Sequence, residues 1–194
     1  TEIYKDPKKL KIDKVYAVDM ASPELCLENA PWDETEVYEP WLQLDIKQLS
    51  YVHAGDTFEV AGLTFDIFNA YDDYVDEFSN DLLNEGSMMF KISAKEESML
   101  FCADVGKSMS KYLLKKYKDE LKADYIQMGH HGNGGLKDDF YQSIGAKAAF
   151  FDAPDWLMQD TSGRFTTPKT SYLMASGGAV IYSFSTAPNQ IILK

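Results

Sequence analysis

Between Met99 and Gly135 the chain reads MLFCADVGKSMSKYLLKKYKDELKADYIQMGHHGNGG, and this stretch restricts the fold more than any other. Two apolar runs, Met99–Ala103 and Ala123–Met128, have the character of strands. Each ends in residues able to bind a metal: Asp104 after the first, His130 and His131 after the second. Between them Leu113, Leu114, Tyr117 and Leu121 recur at spacings of three and four, which predicts one apolar helix face. A strand–helix–strand unit of this length takes parallel strands. Both polar ends then fall at the same carboxyl edge of a sheet, where open α/β sheets bind ligands. An α/β (α+β) chain that brings one carboxylate and two imidazoles together is the expectation.

Taken residue by residue, the unit leaves two readings open. Asp104, two positions before Gly106, is either a ligand or an N-cap for the following helix. The His pair lies between glycines that let the backbone approach a ligand closely. In an extended chain adjacent side chains take opposite faces. One imidazole then binds metal while the other faces substrate, the plain alternative being an exposed turn. His131 is taken as the ligand and His130 as the substrate-facing, catalytic group, with the reverse assignment open. His53 fits no local metal motif and is set aside.

The segments LFCADVG and ADYIQMGHHGNGG resemble the second half of the metallo-β-lactamase-fold hydrolases. They are most similar to the subgroup with an LFTGD…ADVLKxGHHGS pattern, found in hydrolase domains of DNA-uptake channels and in choline-phosphate esterases. The resemblance covers roughly residues 50 to 194. It implies the C-terminal half of an αββα sandwich in which Asp104 bridges two zinc ions and His131 or His130 is the terminal ligand. It further implies a small-molecule ester or phosphoester as substrate. Ala103 departs from the customary Gly, Asn133 from Ser, and Thr166-Thr167-Pro168 from Gly-His-Pro. The family's HxHxDH signature is absent, and His53, His130 and His131 are the only histidines. A catalytic zinc takes about three protein ligands and an open position. The expectation is therefore half an active site, inactive alone, from a parent hydrolase. The alternative is a non-catalytic binding or structural module on the same scaffold.

Half a sandwich leaves an apolar sheet face uncovered, which soluble monomers avoid. A homodimer, or pairing with the missing N-terminal half, is accordingly expected. The whole of 1–194 reads as a single domain, with 1–50 as linker or cap and 51–194 as the second sheet plus helices. Thr1 in place of Met suggests a trimmed or processed chain. A net charge of −12 argues against general nucleic-acid binding, which needs clustered Lys and Arg. The lysines of 107–122 have helical spacing and read as a solvated face. No apolar run reaches the ~20 residues of a membrane span. Cys26 and Cys102 sit in apolar settings as reduced core residues, which favours the cytoplasm.

Elsewhere, Ile12–Val18 alternates like a strand. Residues 19–40 read as a long loop or cap, and 40–49 as a short helix. Two β-rich runs joined by Ala61-Gly62 predict a hairpin, and Ser87–Ala94 with Ser98–Ala103 a second one. Residues 70–86 read as an exposed acidic loop. A helix at 137–144, a strand at 146–151, a last helix from Thr167 and strands at 179–183 and 190–193 complete the expectation. Asp152 and Asp155 flank the loop above the strand edge, and Arg164 lies in a loop; none of the three is assigned to the site.

Overall fold

A computed structural model describes residues 12–32, 35–37, 49–72, 74–132 and 134–152, together with the backbone of 172–175 and 179–183. The chain forms β1 (Val15–Ala17), α1 (Pro23–Asn29), β2 (Leu49–Tyr51), β3 (Thr57–Val60), β4 (Leu63–Asn69) and α2 (Leu82–Glu85). It continues with β5 (Met89–Ser93), β6 (Ser98–Phe101), α3 (Ser110–Tyr117), β7 (Tyr125–Gln127), α4 (Asp138–Ile144), β8 (Ala148–Phe151), β9 (Tyr172–Ala175) and β10 (Ala179–Ser183). Among the described residues, β1 and β2 pair in parallel, and the other strands form one mixed sheet in the order β3-β4-β5-β6-β7-β8-β10-β9. The α/β class is thus as expected.

Local chemistry explains the antiparallel half. β3 and β4 are joined by Ala61 at φ 53° and Gly62 at φ 81°, the two positive dihedrals of a tight turn whose twist matches its strands. The second hairpin pairs Ser93 with Ser98 across the turn. The β6–α3–β7 unit is parallel, with Leu100 opposite Ile126, and Ile126 is in turn opposite Ala149 of parallel β8. Those three side chains are buried on one face, against Leu113, Tyr117 and Leu121 after β6 and Phe140 and Ile144 of α4. Fully burying a side chain such as Leu113 stabilises the fold by about 1.5–3 kcal/mol.

The opposite face carries a row of half-buried aromatics. Phe58, Phe65, Phe90 and Phe101 stack across β3 to β6, with successive ring centroids 5.2, 6.2 and 4.9 Å apart. Tyr16 stacks on Phe58 at 4.0 Å, so the N-terminal segment covers one end of the row.

The structure corrects several expectations. Residues 19–40 contain a helix, α1, capped by Ser22 with Pro23 at its first turn. That signature stands in the sequence and was missed. The acidic stretch 70–86 is not simply exposed: Val75, Leu82 and Glu85 are buried, and the first two pack with Ala21 and Cys26. Strand β9 occupies part of the stretch expected to continue the helix from Thr167, the start of which lies outside the described residues. The strand expected at 190–193, Asp155 and Arg164 lie outside the described residues, as do 40–48 of the short helix expected at 40–49, whose last residue, Leu49, begins β2 instead. Cys26 and Cys102 are both buried, and no disulfide joins them. No described helix is long and apolar enough to cross a membrane.

Candidate functional site

Because β6, β7 and β8 are parallel, their carboxyl ends open on one edge of the sheet. Asp104 follows β6, the His pair follows β7, and Asp152 follows β8. The His131 imidazole lies between the two carboxylates. Its Nε2 is 3.4 Å from Asp104 Oδ1, and its Nδ1 is 3.2 Å from Asp152 Oδ1. The second approach is close without the alignment of a hydrogen bond, leaving the buried Nδ1 without a hydrogen-bond partner.

Gln127 ties this edge together. Its Oε1 accepts from the Cys102 and Ala103 N–H groups, both at 2.9 Å. Its Nε2 donates to Met128 O at 2.6 Å and to Asp152 Oδ1 at 3.3 Å. One side chain thus joins the ends of all three strands. Sequence reasoning passed over it, although a glutamine inside an otherwise apolar strand was the available signal.

The backbone around the site is strained. Ala103, His130 and His131 have φ of 47, 48 and 56°, a left-handed region that costs a residue with a Cβ roughly 1–2 kcal/mol. His130 N–H donates to Ala103 O at 2.8 Å, locking the two strained segments to each other. The His pair is therefore not extended, which replaces the expected reason for the two rings diverging. Successive left-handed residues turn the chain, and the ring planes stand 70° apart with centroids 6.3 Å apart. His130 instead lines a cavity of about 240 Å³ with Asp81, Glu85, Asp104 and Ser108.

Asp104 is not a helix cap. The N-cap position of α3 is Met109, without a side-chain capping bond. The loop from Asp104 to α3 is held instead by Glu85, whose Oε2 accepts the Gly106 N–H at 2.8 Å. Burial pushes the Glu85 carboxyl above its usual range, against the opposing pull of hydrogen bonds from Gly106 and Ser108. The folded state thus keeps this proton to higher pH than the unfolded chain does. Its stabilising contribution is full below the ordinary carboxylate range and is lost as pH rises through the raised value. Glu85→Gln should flatten that part of the stability–pH curve, as read from urea midpoints on the acid side of neutrality. An unchanged slope in the variant would assign the dependence to other groups.

Whether these residues suit a zinc ion is a question of donor number. Asp104 and His131 Nε2 converge as two donors, while Asp152 lies at the other nitrogen of the ring, outside the same coordination shell. Among the described residues, no three His, Cys, Asp or Glu side chains gather on one point. Two donors fall short of the roughly three protein ligands of a catalytic zinc. On their own these residues make an incomplete, two-donor half-site and not a whole catalytic zinc centre. His53, set aside on its sequence, is exposed in the turn before β3, where its N–H donates to Asp56 Oδ2 at 2.8 Å. No protein-family model matches the chain, and no curated protein matches it in sequence.

Proposed function

We propose that this chain contributes one half of a metal-dependent hydrolase centre of the metallo-β-lactamase type, with zinc as the metal and a phosphoester or related ester as substrate. The observation that carries the reading is the His131 imidazole held between Asp104 and Asp152 at the carboxyl edge of three parallel strands. A carboxylate at the far nitrogen of a metal-binding histidine sets its tautomer and aim. Asp152 Oδ1, 3.2 Å from Nδ1, is near enough to take that position by a small turn of the ring, and His131 Nε2 and Asp104 present the lone pairs. When bound, zinc supplies a water acidified to near neutrality. His130, which lines the cavity, would in this reading give a hydrogen bond or proton to a substrate there.

The missing donors come, in this proposal, from a layer that covers the aromatic face of the sheet. Phe90, Phe101, Tyr125 and Phe150 are half-buried on that face, and contiguous apolar surface of this kind marks an interface. A second copy or a complementary half-domain supplies the layer, and the chain alone is inactive. The buried, unbridged cysteines support a reducing compartment such as the cytoplasm. The second reading, a non-catalytic binding module, is favoured by the two-donor count among the described residues.

Calorimetric titration of zinc into the chain tests the first reading. Saturable uptake at one site is expected, weakened about tenfold or more in both Asp104→Asn and His131→Ala. Equal uptake by the wild-type chain and both variants, or none by any, would leave the binding module.

A further inference from the structure

A second cavity, of about 560 Å³, lies beside the first and shares Lys107 and Ser108 with it. Its size is that of a small-molecule site. Lys107, Lys111, Lys115 and Lys137 line it, together with Phe78 and Tyr112. In the sequence Lys137 stands apart from the lysines of 107–122, which read as a solvated helix face. The fold makes them one wall. Lys111 and Lys115 are a turn apart on α3, roughly 6 Å along its axis. Lys137 arrives from the start of α4, where its N–H donates to Ser110 Oγ at 2.9 Å.

Two properties distinguish this wall from a solvated helix face. None of the four ammonium groups makes an ion pair with another described residue, in a chain whose net charge is −12. Clustered cations with no acidic partner among the described residues give a local positive field that attracts anions. Beside them, Phe78 is 40% exposed, an unusual position for a phenylalanine. Its ring lies 4.8 Å from that of Tyr112. A groove that pairs clustered cations with accessible rings matches a ligand having a phosphate chain at one end and a flat aromatic ring at the other.

We propose that this groove binds a nucleoside polyphosphate, its phosphates on the lysines and its base against Phe78 and Tyr112. The phosphate chain stays on the lysine side, since the adjoining cavity is walled by Asp81, Glu85 and Asp104. The site needs no metal. Its failure leaves the zinc half-site untouched, and failure of the half-site leaves this groove intact.

Calorimetry with metal-free protein separates the contributions, using ATP, inorganic triphosphate and adenosine as probes. ATP should bind about tenfold or more tightly than either part alone, and more weakly as ionic strength rises. Lys111→Ala with Lys115→Ala should weaken ATP about tenfold or more, and Phe78→Ala should reduce it to the affinity of triphosphate. Lys95→Ala, in the turn between β5 and β6, should leave binding unchanged. These exposed substitutions spare the core, and matching circular dichroism spectra would show it. No binding of ATP, unchanged ATP affinity in the double lysine variant, or triphosphate binding as tightly as ATP would each overturn the proposal.

Discussion

Gly135→Ala is expected to lower the unfolding free energy by about 3 kcal/mol or more, the upper end of what overpacking costs. A Cβ at Gly135 would sit 2.0 Å from Gly129 O, a backbone atom with no freedom to swing aside. Gly135 also bridges to Gly106, so the loop bearing the His pair is stitched to the loop that follows Asp104. Pushing these backbones apart separates His131 from Asp104 as well as destabilising the chain. Gly134→Ala is the informative comparison. Nothing lies within 4 Å of a Cβ there, but its φ is +75°, so the cost is conformational only, roughly 1–2 kcal/mol. Urea unfolding of the two variants distinguishes space from dihedral angle. Equal midpoint shifts would mean that the close approach at Gly135 relaxes at little cost.

Asp152→Asn should weaken zinc binding about 10–100-fold while leaving the fold intact. That loss corresponds to about 1.4–2.7 kcal/mol. Asp152 is exposed, so the effect on stability should stay within about 0.5 kcal/mol. The expected weakening comes from His131. With a carboxamide beside Nδ1, nothing charged holds the ring with Nε2 toward Asp104. Gln127, which donates to Asp152 Oδ1 at 3.3 Å, would keep a partner in the new side chain's oxygen. Zinc affinity equal to wild type would remove Asp152 from the positioning role and leave its 3.2 Å approach to the imidazole without functional meaning.

Some of this site was legible from the chain and some was not. The apolar stripe Leu113, Tyr117 and Leu121 correctly placed a helix between two strands, because burial of one helix face depends only on spacing along the sequence. Ala61-Gly62 marked its turn for an equally local reason. Glu85 gave no such sign. In the sequence it is one carboxylate of an acidic run, and only the packing of that run against the loop after β6 turns it inward to hold Gly106. The divergence of His130 and His131 was anticipated for the wrong cause. It comes from two left-handed residues, the first of which is tied to Ala103 O through its N–H.

The order of strands and helix around the site can be read from the chain, and with it the meeting of Asp104 and the His pair at one sheet edge. Periodicity and chain connectivity suffice for that, since a strand–helix–strand unit has few ways to close. Which groups surround His131, which carboxylate is buried, and which lysines share a groove with Phe78 emerge only once the chain has folded. Those relations join residues dozens of positions apart, through contacts that no local pattern encodes.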